Sequence, residues 1–133
     1  MFESLPVLFI NCSVFPFVTW ILSGLKVYET RNRNTLKCLL GKQVYLCETG
    51  KKQKIVRCKA TISGIIPVSS KQYYEKFRKE CCILPGSTYD FIPGKKKHLY
   101  LLTDIVPVPA FVPEEGKHYG YTYMDFNGIK KII

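Results

Sequence analysis

A glycine at position 24 divides an apolar segment with the pattern of a short helix from a charged segment that favours an extended chain. Glycine adopts positive φ without steric cost, so it often ends a helix. In the strand that follows, Glu29 and Arg31 lie on one face, and the long side chain of Lys26 can reach that face from the preceding turn. This junction predicts a polar cleft at the mouth of a small sheet. The alternative is an ordinary surface ion pair between Glu29 and Arg31 with Lys26 in water.

Residues 5–24 contain no charged side chain, so this segment has to be distinguished from a signal peptide or a membrane helix. Prolines interrupt it, and Glu3 rather than a basic residue precedes it. We therefore predict a buried strand at residues 7–11 and a helix over residues 16–23, which begins with a proline where the missing N–H costs no hydrogen bond. This interpretation predicts a cytoplasmic protein that does not enter a membrane. A processed or membrane-inserted segment is the alternative.

The rest of the chain contains more strand patterns than helix patterns. Residues 55–66 alternate between apolar and polar side chains, as expected for a half-buried strand. Residues 69–72 resemble a capping box, and Tyr73, Phe77 and Cys81 form an apolar stripe at helical spacing, so a second helix is predicted that ends at a Pro-Gly pair. Further strands are predicted at residues 26–31, 44–47, 98–106, 119–126 and 129–133, with an irregular proline-rich segment at 107–113 and a turn at Asn127-Gly128.

Strands that outnumber two short helices, without β-α-β alternation, indicate a mainly antiparallel α+β fold. A small curled sheet that closes into a barrel is the economical arrangement, because closure removes exposed strand edges. These patterns alone do not separate one type of small barrel from another. The length of 133 residues, with no internal repeat or linker, predicts a single domain over residues 1–133.

The chain carries 20 lysines and arginines against 10 acidic residues, which gives a formal net charge of +10. Such an excess favours a polyanionic partner such as nucleic acid. Two lysine clusters, one at a predicted hairpin tip and one in a polar loop, are candidates for an electrostatic patch that attracts phosphates. The alternative is that both are simply solvated loops. The residues of this candidate patch are Lys51, Lys52, Lys54, Lys95, Lys96 and Lys97.

The six cysteines lack the spacing of a zinc site, because no C-x-x-C pair is present and only Cys81 and Cys82 are adjacent. The two histidines are far apart in the sequence. Several of the cysteines lie in apolar runs, where a thiol behaves as a small core residue. We therefore expect reduced thiols, no metal and no cofactor.

Residues 15–31 resemble the signature of ASCH domains (activating signal cointegrator homology). In that family a helix that begins with proline ends in a glycine, within the pattern G-x-K-x-x-E-x-R, and Gly24, Lys26, Glu29 and Arg31 occupy the four defined positions. The resemblance implies a PUA-like β-pseudobarrel with two or more short helices that plug or flank it. It also implies a ligand site formed by these four residues. Beyond residue 31 it extends through the order of elements alone.

The first class of function that the resemblance implies is a binding module. ASCH and other PUA-like domains are associated with recognition of RNA, nucleotides or modified bases, so the implied partner is RNA, another single-stranded nucleic acid or a nucleotide. Lys26 and Arg31 would contact phosphate or base acceptors, and Glu29 could accept from an exocyclic amine or hold Arg31 in place. Aromatic side chains that could stack on a base include Trp20, Tyr28, Tyr100, Tyr119, Tyr121 and Tyr123.

Catalysis is the second class. Some small ASCH-type proteins are amidohydrolases of acetylated cytidine, which use a lysine and a threonine in a G-x-K-x-x-T-x-R version of the motif plus a separate glutamate, and others are reported as ribonucleases. Here Glu29 replaces the threonine, and Glu75 and Glu80 are only loose matches for the separate glutamate. Lys26 and Glu29 are the candidate catalytic residues. A protein-interaction domain that docks through residues 107–113 is a third alternative.

Overall fold

In the computed structural model, which describes residues 2–133, eight strands form one mixed sheet that three short α-helices accompany. This arrangement confirms the predicted α+β, mainly β fold class. A single 3-10 turn at Lys37–Leu39 follows the second strand. The strands are β1 (Val7–Asn11), β2 (Tyr28–Arg31), β3 (Gln43–Thr49), β4 (Ile55–Val68), β5 (Lys97–Pro113), β6 (His118–Tyr119), β7 (Tyr123–Met124) and β8 (Ile129–Ile132). The helices are α1 (Phe17–Leu22), α2 (Lys71–Glu75) and α3 (Arg78–Cys81).

The strands follow the order β2-β5-β4-β3-β1-β7-β6, and β8 adds to β5 beside this path. β1 is parallel to β3, and the other pairs are antiparallel. The end strands β2 and β6 are not paired with each other, so the sheet is not the closed barrel that the sequence predicted. β1 pairs with β7 only at Val7 and Leu8. Further along that edge, the N–H of Phe9 donates to the carbonyl oxygen of Thr122, and its own carbonyl oxygen accepts from Arg31 Nη2 at 2.6 Å.

A gap separates β2 from the part of β1 that lies beyond its short pairing with β7. A side chain bridges this gap instead of a backbone ladder. Closure of a barrel pairs the backbone N–H and C=O groups that an edge strand would otherwise expose. Here the guanidinium of Arg31 satisfies one backbone acceptor on this edge of β1, the carbonyl oxygen of Phe9.

β1 is buried on both faces, which explains its uninterrupted apolar sequence. Leu8 and Ile10 face the larger core cluster, which also receives the buried side of α1. Val7 and Phe9 face a smaller cluster that includes Phe111 of β5. Full burial of such a side chain stabilises the fold by roughly 1.5–3 kcal/mol relative to exposure, so β1 is held from two sides.

The uncharged run of residues 5–24 folds as a strand and a separate helix, as predicted. β1 has the predicted bounds, and α1 begins immediately after Pro16. The two elements are joined by residues 12–16. In the part of the chain that the structure describes, no helix is long and apolar enough to cross a membrane.

The single helix predicted after residue 69 is two short helices, α2 and α3. A serine caps α2 as predicted, but it is Ser70, one residue after the start of the predicted capping box, and its side chain accepts a hydrogen bond from the N–H of Tyr73. The predicted apolar stripe is only partly right, because the chain breaks into two helices at Phe77, the N-cap of α3, while Phe77 still packs against the core and Cys81 is fully buried. Tyr74 is therefore the buried tyrosine of α2, and Tyr73 is exposed. α3 ends at Cys82, which has a left-handed φ of 56°.

The prolines of residues 107–113 do not interrupt the sheet, contrary to the prediction. They lie in β5, a strand of 17 residues that pairs with β4 and, near its end, with β8. Prolines two residues apart remove N–H groups from the same edge of a strand, and the register with β4 shifts next to Pro107. The segment is thus engaged in pairing, which leaves less of it for docking.

The C-terminal strands also differ from the prediction. Residues 119–126 do not form one strand, because a turn at Gly120, which has a φ of 61°, separates β6 from β7. After the Asn127-Gly128 turn, β8 pairs with β5 and not with β7.

Candidate functional site

The junction at Gly24 buries Lys26 completely. Gly24 has the positive φ, 83°, that was expected to end α1, and the next two backbone N–H groups both donate to the carbonyl oxygen of Trp20. Lys26 Nζ donates to the carbonyl oxygen of Cys81 at 2.7 Å and lies 4.5 Å from the centroid of the Phe17 ring. The Lys26 side chain is 0% exposed.

Burial changes the role expected of Lys26. Loss of solvent lowers the pKa of its ammonium group, and the carboxylate of Glu29, 3.9 Å from Nζ, acts in the opposite direction. The sequence placed Lys26 in the cleft, but its side chain lies beneath the surface and is not part of the cleft wall. From this position Lys26 contacts Glu29, so it is placed to support the site from below.

Glu29 and Arg31 form the ion pair that their spacing predicted. Arg31 Nη2 lies 2.9 Å from Glu29 Oε2 and also donates to the carbonyl oxygen of Phe9. Glu29 Oε1 accepts from the N–H of Thr30 at 3.2 Å. The Arg31 side chain is 20% exposed and that of Glu29 is 8% exposed. The guanidinium therefore reaches the surface, while the carboxylate is mostly enclosed.

A cleft of about 230 Å³ opens beside this pair. Pockets for drug-sized ligands usually occupy about 300–1,000 Å³, so the cleft suits a single base, sugar or phosphate group. Polar, charged and aromatic side chains share its wall. The lining residues are Asn11, Phe17, Glu29, Thr30, Arg31, Asn32, Thr88, Tyr89 and Lys97.

Lys97 belongs to the cleft and not to the exposed lysine patch predicted from the sequence. Lys95 and Lys96 are exposed, whereas Lys97 begins β5 and is 4% exposed. Its Nζ donates to Asn32 Oδ1 at 3.0 Å, and burial lowers the pKa of its ammonium group. Pairing of residue 97 with β4 draws this lysine inward and separates it from its two neighbours.

Thr88 and Tyr89 reach the cleft from the loop between α3 and β5, a contribution that the sequence analysis missed. The Tyr89 ring packs edge-to-face on Phe17, with the ring centroids 5.2 Å apart. No local sequence pattern marks this loop as functional. The signal that could have pointed to it is the aromatic side chain of Tyr89, which is of a type that can stack on a base.

Asp90 fixes this loop. Its Oδ2 accepts from the N–H of Gly86 at 2.7 Å, and its Oδ1 accepts from the N–H of Phe91 at 2.8 Å and from Arg78 Nη1 at 2.7 Å. Burial raises the pKa of Asp90, but these hydrogen bonds together outweigh burial, so the net pKa is lowered. The carboxylate is thus the stable form in the folded loop.

Acid is expected to loosen this loop. Because the pKa of Asp90 in the folded protein lies below its ordinary value of 3.8, its stabilisation is present above that value and is lost as the pH falls through the folded-state pKa. Thermal unfolding of wild type and Asp90→Asn at about pH 6 and about pH 3 measures this effect. The variant should be less stable at the higher pH and lose less stability on acidification. Equal losses in the two proteins would show that Asp90 does not contribute.

The lysines of the predicted hairpin tip occupy different environments. Lys54 Nζ donates to Glu115 Oε1 at 2.7 Å and lies 4.9 Å from the centroid of the Phe9 ring. Lys51 Nζ is 3.6 Å from Glu48 Oε1. Lys52 is exposed. The six lysines of the predicted patch therefore do not form one surface, and of these six it is Lys97 that lines the cleft.

The aromatic side chains that were predicted to stack on a base lie in separate parts of the structure. Tyr100 is fully buried, and Tyr28 packs edge-to-face on Phe77 with the ring centroids 5.6 Å apart. Trp20 lines a separate, mostly apolar groove of about 630 Å³ that contains none of the charged signature residues. The remaining aromatic candidates lie on the β6–β7 hairpin: Tyr119, Tyr121 and Tyr123.

Within residues 2–133, no three His, Cys, Asp or Glu side chains are grouped so that they could hold a metal ion. The six cysteines are free thiols. Burial raises the pKa of Cys47, Cys58 and Cys81 to about 12. These three are therefore neutral core groups and not reactive thiolates.

No protein-family model and no curated protein matches the chain, but solved structures do. The ASCH protein of Zymomonas mobilis matches with a TM-score of 0.62 and 20% identity, over 79% of this chain and 71% of that chain. A tyrosine-to-phenylalanine variant of that protein gives 0.66 and 21%, over 83% and 76% of the two chains. A serine-to-alanine variant gives 0.65 and 20%, over 84% and 77%. The chain therefore has the ASCH fold, as its resemblance at residues 15–31 predicted.

Proposed function

We propose that this protein binds single-stranded RNA or a nucleotide in the cleft beside Glu29 and Arg31. The observation that carries the proposal is the fixed guanidinium of Arg31, whose Nη2 is held by Glu29 Oε2 at 2.9 Å and by the carbonyl oxygen of Phe9 at 2.6 Å. A guanidinium held in this way loses little conformational freedom when it binds a phosphate or a base. The net charge of +10 favours an anionic ligand.

The cleft offers chemical partners for the phosphate and for the base of a nucleotide. Within residues 2–133, both hydrogen bonds of the Arg31 guanidinium use Nη2, so its Nη1 and Nε groups are available to phosphate or base oxygens. Glu29 can accept from an exocyclic amine, and the amide of Asn11 can donate to a base. The ring of Tyr89 provides a surface for stacking.

The geometry favours binding over hydrolysis by a lysine. A nucleophilic or basic lysine has to reach its substrate, but Lys26 Nζ donates to the carbonyl oxygen of Cys81 below the cleft. Neither glutamate that the sequence offered as its partner lines the cleft. Glu75 pairs with Arg78 beside the separate apolar groove, and Glu80 lies on α3.

The test compares two substitutions, Arg31→Ala and Arg57→Ala, that remove the same charge from different places. Isothermal titration calorimetry at low salt measures binding of the four nucleoside 5′-monophosphates and of a short single-stranded RNA to wild type, Arg31→Ala and Arg57→Ala. Arg57 is the control, because it also pairs with an enclosed glutamate, Glu48, but does not line the cleft. Arg31→Ala should weaken binding roughly tenfold to a hundredfold, since a hydrogen bond to a charged group contributes about 1.5–3 kcal/mol.

Arg57→Ala should leave the affinity nearly unchanged, because Arg57 does not line the cleft and a surface ion pair contributes little to the stability of the fold. Two results would contradict the proposal. One is that wild type binds none of the probes, and the other is that the two variants lose affinity equally.

A further inference from the structure

A second hollow adjoins the cleft at Arg31. Its volume is about 330 Å³, compared with about 230 Å³ for the cleft. Asn11 and Arg31 line both, so these two side chains form a shared wall. The other residues around the second hollow are Phe9, Thr49, Lys54, His118 and Tyr121.

Aromatic groups dominate the second hollow. The ring of Phe9 and the imidazole of His118 have centroids 5.3 Å apart and planes inclined by 32°. Tyr121 lies on the turn between β6 and β7, directly after Gly120, and is 98% exposed. Its ring is open to solvent and available for stacking on a base.

Charged groups meet at the wall between the two hollows. Arg31 reaches the surface there, and Lys54 Nζ lies over the Phe9 ring inside the second hollow. Glu115 accepts from Lys54 Nζ at 2.7 Å and from His118 Nε2 at 2.6 Å. This carboxylate offsets part of the charge of Lys54, but it also holds the ammonium group beside the hollow. Arg31 at the wall and Lys54 in the second hollow are both cations that can donate to a phosphate bound there.

We infer that the second hollow binds the neighbouring nucleotide of the same strand, so that the ligand is a single-stranded oligonucleotide of two or more nucleotides. This inference rests on the proposed function of the cleft. One base occupies the cleft beside Glu29, the linking phosphate lies at Arg31, and the next base stacks on Tyr121. The cleft has the size of one nucleotide part, the second hollow has room for a further base, and their shared wall carries the donor that a phosphodiester link requires.

The test compares mononucleotides with dinucleotides. Binding of the four nucleoside 5′-monophosphates and of the four 5′-phosphorylated homodinucleotides is measured at one low salt concentration for wild type, Tyr121→Ala, Tyr121→Phe and Arg31→Ala. Tyr73→Ala is the control, because Tyr73 is also exposed but lies on α2 and lines neither hollow. Wild type should bind at least one dinucleotide about 5- to 150-fold more tightly than its mononucleotide, the range for one stacked base.

The variants test whether Tyr121 causes the tighter binding of the dinucleotide. Tyr121→Ala should remove it without changing mononucleotide affinity, and Tyr121→Phe, which keeps the ring, should retain it. Tyr73→Ala should bind every probe as wild type does. Tyr121 is almost wholly exposed, so its truncation removes no packing, and circular dichroism checks that the fold is unchanged.

The outcomes separate this inference from the proposed function. Equal binding of mononucleotides and dinucleotides by wild type, or a gain that persists in Tyr121→Ala, would overturn the second subsite and leave the cleft proposal intact. Absence of binding to every probe, or wild-type affinity in Arg31→Ala for all of them, would overturn both.

Discussion

Replacement of Glu29 with alanine is expected to lower the free energy of unfolding by about 3–5 kcal/mol, the usual cost of removing one partner from a buried ion pair. The Glu29 carboxylate lies between Lys26 Nζ at 3.9 Å and Arg31 Nη2 at 2.9 Å. Without it, the ammonium group of Lys26, whose side chain is 0% exposed, loses its ion-pair partner where solvent cannot take its place. Urea denaturation followed through the fluorescence of the single tryptophan, Trp20, measures the loss.

Glu48 provides the matched control for this prediction. Its carboxylate is 6% exposed and pairs with Arg57 and Lys51, but these cations are 35% and 50% exposed. Water can therefore solvate them when the carboxylate is removed. Glu48→Ala should reduce the free energy of unfolding by about half as much as Glu29→Ala or less. If both variants lost the same free energy of unfolding, the burial of Lys26 would not strengthen the contribution of Glu29 to stability.

Affinity for single-stranded RNA is expected to fall steeply with salt. Each phosphate neutralised on a single strand contributes about 0.7 to the slope of log affinity against log salt. With about four phosphates contacted, affinity would fall roughly 50-fold between about 50 and 200 mM salt. Replacing Lys95 and Lys96 together with glutamine should reduce the slope by up to about 1.4. Lys97 is left unchanged, because it is buried in the cleft. Fluorescence anisotropy of a labelled RNA gives the slope.

A second double variant tests whether the position of these lysines matters. Lys130 and Lys131 are exposed on β8 and line neither hollow. Lys130→Gln combined with Lys131→Gln removes the same charge and should leave the slope unchanged. If both double variants reduce the slope equally, net charge alone accounts for the effect and the role of Lys95 and Lys96 is refuted. An affinity independent of salt would count against phosphate contacts altogether.

The elements around Gly24 were predictable because their signals are local. The bounds of β1 follow from an apolar run between prolines, and the end of α1 follows from a glycine with positive φ. The pairing of Glu29 with Arg31 follows from strand alternation, which places side chains two residues apart on one face. Burial of Lys26 was not predictable, because it depends on Cys81, which lies 55 residues away in the sequence.

Other parts of the site depend on similarly distant contacts. Nothing local distinguishes Lys97 from the two lysines before it, because its burial follows from strand pairing and from Asn32, 65 residues away. Tyr89 reaches the cleft from a loop that Asp90 fixes through Arg78 and two backbone N–H groups, and its ring packs on Phe17, 72 residues away. Tertiary pairing also overrides the local preference of the prolines in β5. The predicted closure of the sheet is also wrong, because the end strands β2 and β6 do not pair, and a contact between Arg31 and the carbonyl oxygen of Phe9, 22 residues away, bridges the gap instead.

Strand β5 has a consequence for how the protein is made. It is the strand that pairs with β2, and it also pairs with β4 and β8. A ribosome adds residues at about 5–20 per second, and residues 1–96 leave it before β5 is available. Until then β2 lacks its partner in the native sheet, and Glu29 and Arg31 have no fixed position. The cleft is therefore completed only after β5 has been synthesised, so a nascent chain cannot capture a ligand through it before β2 and β5 have paired.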